Sequence, residues 1–153
     1  MRINERKEDM NKRIAFIMLL LLFAIGAGAQ TGLAVNTVFL GRVVPGNRMV
    51  VTQVRGRSLS KYQLNFYHSL RFQANDKELE RVQELFAQDQ RQAVETYATT
   101  HGKKRSKTII ALPAKDRRHR FLCLSMSGRG VTMVYMEGSV ASLSELRKLL
   151  ENQ

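Results

Sequence analysis

A chain of 153 residues with 25 Lys plus Arg against 13 Asp plus Glu carries a formal net charge of +12, which draws it toward anionic surfaces and polyanions. One cysteine, Cys123, and three histidines scattered over three segments, His68, His101 and His119, exclude an intramolecular disulfide and a structural zinc site, and no cofactor is expected.

Residues 1–13 are charged, with Arg2, Arg6, Lys7, Lys12 and Arg13 outnumbering Glu5, Glu8 and Asp9. The apolar run IAFIMLLLLFAI follows over residues 14–25, and then GAGAQT. A positive segment, a short apolar stretch and the small-x-small pair Ala27 and Ala29 make the order of a secretory signal peptide, with cleavage expected after Ala29. The run falls short of the roughly 20 apolar residues of a bilayer-spanning helix. The alternative is an inner-membrane anchor through residues 14–29, which hold no charge and reach the interfaces if the bilayer thins. The absence of a cysteine near the cut argues against a lipoprotein. The expected organisation is a signal peptide over residues 1–29 and a single α+β domain over residues 30–153. Removing the leader's five cations and three acids from the totals leaves that domain at +10, with Gln30 first and able to cyclise.

LAVNTVFLGRVV, residues 33–44, is apolar without a clean period and predicts a short helix or an extended lead-in before the Pro45-Gly46-Asn47 turn. MVVTQVR, residues 49–55, is dense in β-branched residues and predicts a strand. Residues 59–72 fit two periods. Tyr62, Leu64, Phe66, His68, Leu70 and Phe72 alternate, whereas Leu59, Tyr62, Phe66 and Leu70 share a helix face, and Ser58 or Ser60 as N-cap favours the helix. Asn75 with Glu78 resembles a capping arrangement, and Leu79, Val82, Leu85, Phe86, Ala93, Val94 and Tyr97 recur at helical spacing. They predict a long helix ending near His101-Gly102 with an interruption at Asp89-Gln90. KTIIALP, HRFLCLSM and VTMVYM read as an antiparallel meander, and SLSELRKLLENQ as a capped terminal helix with Ser142 and Glu145 in an S-x-x-E box. The sum is an α+β fold: an antiparallel sheet of about four strands, three of them a C-terminal meander, with two or three helices on one face and the C-terminal helix last.

Two basic clusters flank the first strand of the meander. Lys103, Lys104 and Arg105 precede it, and the next turn returns Arg129 to the same end; Lys115, Arg117, Arg118 and Arg120, with His119, lie at the other. A strand of about six residues sets the ends about 20 Å apart, too far for one compact phosphate clamp. Each rim is a candidate anion site, weighed against ordinary solvated loop charge and against charge placed to block edge pairing. Cys123, in an apolar strand, reads as a small buried hydrophobe.

Nucleic acid is disfavoured as a partner, because neither helix-turn-helix nor zinc spacing nor an aromatic-studded RNP strand accompanies the charge, and export removes the protein from the genome. No catalytic residue is singled out: the chain lacks G-x-S-x-G, H-E-x-x-H and a Gly-rich phosphate loop. An enzyme with a dispersed site would need His68 or His119 beside a carboxylate in a concave pocket.

Three stretches, QTGLAVNTVFLGRVVPGNRMV after the leader, RGRSLSKYQLNFYHSLRF, and VYMEGSVASLSELRKLL, together resemble a family of short, signal-peptide-bearing bacterial proteins of unknown function. The ending also looks like larger families of exported α+β proteins, some of them lipid-anchored, although this chain lacks the anchoring cysteine. The resemblance implies a Gram-negative envelope or periplasmic setting and transfers no catalytic residue. The expected function is a non-enzymatic exported domain that binds an envelope protein or peptide through its sheet or helix face. The alternative is an envelope anion binder that meets lipid phosphate or a polyanionic glycan through residues 103–107 or 115–120.

Overall fold

The computed structural model describes residues 32–152. The leader, the cut after Ala29 and Gln30 therefore lie outside the described residues. The unit that begins at Leu33 opens with a single helical turn, α1 (Asn36–Phe39), and a 3-10 turn at Gly46–Arg48, followed by strand β1 (Val50–Arg55). A second 3-10 turn (Arg57–Tyr62) leads into β2 (Leu64–Gln73), then helix α2 (Asp76–Gln90). Four successive strands come next, β3 (Glu95–His101), β4 (Arg105–Lys115), β5 (Arg118–Ser127) and β6 (Gly130–Gly138), and helix α3 (Leu143–Glu151) closes the order. All six strands form one antiparallel sheet in the order β1-β2-β6-β5-β4-β3. The α+β class, the antiparallel sheet and the final helix agree with the sequence reading, but the sheet has six strands instead of about four.

Both added strands come from segments in which a helical pattern competes with alternation. In β2, Leu64, Phe66, His68, Leu70 and Phe72 are buried at every second position, and the strand pairs on both edges, with β1 and β6. A helix over residues 59–72 would leave β1 without a partner and one edge of β6 open. Only residues 57–62 coil, without a side-chain cap from Ser58 or Ser60, and Gln63 ends the turn in the left-handed conformation at φ 54°. The second strand is β3. Helix α2 starts as predicted, with Asn75 Oδ1 accepting from Glu78 N at 2.8 Å and Glu78 Oε1 accepting from Asn75 N at 3.2 Å. It stops at Gln90, where the pattern was interrupted, instead of reaching His101-Gly102. Residues 95–101 are ETYATTH, whose β-branched and aromatic side chains suit a pleated strand, and they pair with β4 along their whole length.

Because strand side chains alternate, the register sorts the sheet into two faces. Phe66, Leu70, Ile110, Leu122, Met133 and Tyr135 lie on one face and are all within 1% of complete burial. Helix α1 reaches this face through Phe39, whose ring lies 4.7 Å from that of His68; α2 buries Val82, Leu85 and Phe86, and its Leu79 and Gln83 border a cavity with Ser106 and Met126 of the same face. The opposite face packs Ile109, Ala111, Phe121, Cys123 and Met136 against Leu59 of the 3-10 turn and Leu143 and Leu146 of α3. The helices thus flank both faces, a correction to the one-sided packing expected. Burying a leucine or phenylalanine contributes about 1.5–3 kcal/mol relative to exposure, so each face supplies a substantial share of the core.

Helix α3 is tied to the sheet by polar contacts as well. Ser142 Oγ accepts from Glu145 N at 3.2 Å, while Glu145 turns to Ala141 N instead of closing the predicted reciprocal box. Glu95 of β3 accepts from Leu143 N at 3.2 Å, and the Arg147 guanidinium lies 3.4 Å over the Tyr97 ring. At the far end of β6 the backbone passes so close to Gln63 that a side chain on Gly138 would overlap the Gln63 carbonyl oxygen. That same carbonyl accepts from Ser139 N and Val140 N. A bulge between Leu64 and Phe66 turns Leu64 to the α3 face at this junction.

Candidate functional site: a basic groove on the open half of the sheet

On the α3 face the strand register arranges side chains in rows across the sheet. Under α3 the row is apolar, Val134, Cys123, Ile109 and Tyr97. Two residues further along every strand it becomes Arg71, Thr132, Ser125, Lys107 and Thr99, and two residues beyond that Gln73, Gly130, Ser127, Arg105 and His101. The core packing of α3 ends at the apolar row, and the two polar rows line a groove of about 620 Å³. Its floor is built from the short side chains of β5 and β6: Ser125, Ser127, Thr132 and Gly130. Its walls are the long side chains of β2 on one side and of β4 and β3 on the other. From β2 to β4 is three strand spacings, about 14 Å, with Arg71 on one wall and Arg105 and Lys107 on the other.

The electrostatics of the groove are one-signed. No carboxylate is among its lining residues. Among the described residues Arg71, Arg105 and Lys107 enter no salt bridge, while Arg48 is held by Glu78 at 2.9 Å, Arg118 by Glu137 at 3.4 Å and Arg129 by Asp76 at 3.1 Å. A concave surface lined by one sign of charge over a low-dielectric wall concentrates counter-ions. At its apolar border, burial pushes the Cys123 thiol up, opposed by the Ser125 hydroxyl at 3.9 Å and by the Lys107 charge.

A second, smaller cavity of about 240 Å³ adjoins the β3–β4 turn, lined by Gly102, Lys103, Lys104, Arg105 and Ser106 together with Leu79 and Gln83 of α2. Gly128 N donates to Lys104 O at 2.9 Å, which binds the β5–β6 turn to the β3–β4 turn.

The structure places the residues of the first predicted rim in two adjoining turns and the start of β4. Lys103 and Lys104 are exposed in the turn, Arg105 opens β4 and lines both cavities, and Arg129 sits in the adjoining turn but faces Asp76. The second rim does not gather. Arg120 is 8% exposed and donates from Nε to the Pro113 carbonyl at 3.0 Å, on the face opposite the groove. Arg118 pairs with Glu137, and Lys115 and Arg117 stay exposed at the hairpin turn, where Asp116 and Arg117 both have positive φ. Strand β4 runs for 11 residues, not about six, so the two ends lie roughly 30 Å apart instead of 20 Å. Sequence reasoning missed Arg71, Thr99, Ser125 and Thr132. The available signal was parity: the polar positions 71 and 73, 105 and 107, and 125 and 127 each continue the alternate face of an apolar strand.

Neither His68 nor His119 lines the groove; His101 does. His68 is buried between the rings of Phe39 and Phe66, and burial, aided by the Arg55 charge, holds its pKa below the ordinary histidine value. Polar groups within the closed face are mutually satisfied. Tyr135 OH donates to Glu137 Oε1 at 2.7 Å, and burial together with that carboxylate drives the phenol far above its usual range. Asp89, 2% exposed, accepts from Ala34 N at 2.8 Å and Val35 N at 2.9 Å; burial pushes its pKa up against the pull of these bonds. Among the described residues no group of His, Cys, Asp and Glu side chains is placed to hold a metal ion, and no helix is long and apolar enough to cross a membrane.

A six-stranded antiparallel sheet with helices on both faces and a basic, hydroxyl-floored groove beside α3 defines a small α+β domain. The chain matches DUF6108, a family of unknown function, over residues 22–150 and belongs to it. No curated protein matches it.

Proposed function

We propose that the chain is an exported, non-catalytic binding domain that seats an anionic ligand in the groove between β2 and β4. The observation that carries this reading is the set of three cations, Arg71, Arg105 and Lys107, which line one groove above a floor of hydroxyls, with no carboxylate among its described lining residues and no salt bridge to any of the three among the described residues. Arginine and lysine next to serine and threonine hydroxyls suit a tetrahedral oxyanion, which accepts several hydrogen bonds at once. The groove's volume lies within the 300–1,000 Å³ typical of small-molecule sites. The anion site thus moves from the turn-end rims to the sheet surface, with Arg105 common to both.

The test is titration of the purified chain with inorganic phosphate, followed by amide chemical shifts. Saturable shifts at residues 71, 107, 125 and 132, reduced at least tenfold in affinity by Arg71→Gln with Lys107→Gln, are expected. Shifts that do not saturate, or that persist unchanged in the double variant, would refute the reading.

A second reading rests on β1, an edge strand with Val50 67% and Val51 51% exposed. Such an edge offers main-chain hydrogen bonds and side-chain contacts to an extended envelope peptide. Peptide capture there would be indifferent to the groove substitutions.

A further inference from the structure

The groove's cations and hydrogen-bond donors fall into two sets, one in each polar row. The first row holds Arg71 and Lys107 on opposite walls, with Ser125 and Thr132 between them; the second holds Arg105 and His101 on one wall, with Ser127 on the floor and Gln73 opposite. The rows are two residues apart along every strand, about 7 Å at the usual strand rise. Glycine at position 130 keeps the floor of the second row low. A Cβ there would stand 3.1 Å from the Ser127 carbonyl oxygen and 3.3 Å from Gln73 Nε2, filling the space between the walls.

Resting on the anion-binding reading above, we infer that the ligand carries two phosphoryl-type groups, one for each row. A lone orthophosphate would satisfy one row and leave the cations of the other unneutralised. A ligand with two groups neutralises both, and the second contact is then intramolecular, which raises affinity without any new kind of interaction. Rings are not what the groove reads: apart from His101, its polar rows contain no ring on which a nucleobase would stack. The charge, the hydroxyls and the spacing together select phosphoryl groups joined by a short linker. Such groups occur in a soluble oligophosphate and in the headgroup of a diphosphoryl lipid.

The experiment compares inorganic orthophosphate with inorganic tripolyphosphate by calorimetry on the full chain at physiological ionic strength, where exposed charges farther apart than about 8 Å are screened. The expected result is tripolyphosphate binding at least tenfold tighter than orthophosphate, with the gap abolished by Arg105→Gln alone and by Arg71→Gln with Lys107→Gln. Lys115→Gln with Arg117→Gln, at the far end of the sheet, should leave the gap intact. Equal affinities for the two phosphates, or a gap that the far-end variant also removes, would overturn the two-row inference while groove-dependent orthophosphate binding kept the broader reading alive. If no phosphate responds to any groove variant, both fall together. A parallel arm uses phosphatidylcholine vesicles with and without cardiolipin. Row-dependent binding to the cardiolipin vesicles assigns the ligand to a lipid surface, and row-dependent binding to tripolyphosphate alone assigns it to a soluble compound; either result upholds the inference.

Discussion

Gly138→Ala tests the junction on which β2 and β6 meet. The added methyl carbon would overlap the Gln63 carbonyl oxygen and lie 2.7 Å from Leu64 Cα and 3.0 Å from the Gln63 carbonyl carbon. All three are backbone atoms, so no rotamer change relieves the overlap. Overpacking of this kind costs about 1–3 kcal/mol. Displacing Gln63 also loosens the bonds its oxygen accepts from Ser139 N at 3.0 Å and Val140 N at 3.3 Å, each contributing about 0.5–1.5 kcal/mol. Removing a glycine returns about 0.4–1 kcal/mol by restricting the unfolded chain. The net expectation is a loss of about 2–4 kcal/mol. Urea denaturation followed by far-ultraviolet circular dichroism measures it, with Gly46→Ala as the control, since a Cβ at Gly46 meets nothing within 4 Å. A Gly138→Ala midpoint indistinguishable from that of the unsubstituted chain would refute the close approach and the β2–β6 register built on it.

Two further outcomes follow from the buried titratable groups. His68 has its pKa lowered from 6.5 by burial and by Arg55, so the unfolded chain takes up its proton first. The stability this site contributes is complete above about pH 6.5 and is lost as pH falls through the lower folded value. Urea midpoints should therefore drop between pH 7.5 and 5.5, and His68→Gln should show a smaller drop; equal drops would refute the assignment. Cys123, 5% exposed with its thiol pushed up by burial, should react with a thiol reagent in the native state only as fast as the sheet opens, and at once in denaturant. Rapid labelling of the folded chain would mean that α3 does not cover the apolar row.

The class of fold was legible because its signals are local. The Asn75–Glu78 cap, the branched runs of the meander and the leucine face of α3 each declare themselves within a dozen residues. The two strands that escaped depend on partners distant in sequence. Phe66 and Leu70 satisfy a helix and a strand equally until β6 is present to pair with them, and Tyr97 continues the stripe of α2 until β4 claims it. Register also decided the candidate site. Lys107 opens the KTIIALP run next to the turn cations Lys103 and Lys104, and only its pairing with Ser125 and Thr99 makes it part of a wall. Arg120 looks like its counterpart at the other end, yet one step of alternation turns it into the closed face, where the Pro113 carbonyl receives it. Parity within each strand was legible from the sequence; which strands set those residues side by side was not.

The strand order has a bearing on how the chain folds. Four of the five strand pairings join successive strands, and only β2 with β6 joins segments far apart in sequence. The meander from β3 to β6 is closed by short turns and zips locally, whereas the β2–β6 pairing must close a loop that contains α2 and three whole strands, an entropic cost borne before its contacts form. During synthesis β1, β2 and α2 emerge first, so the inner edge of β2 stays unpaired until β6, the last strand, has left the ribosome. Until that moment Phe66, Leu70 and Phe72 have no β6 beside them, and the half-made chain is at its most prone to adhere to others like itself.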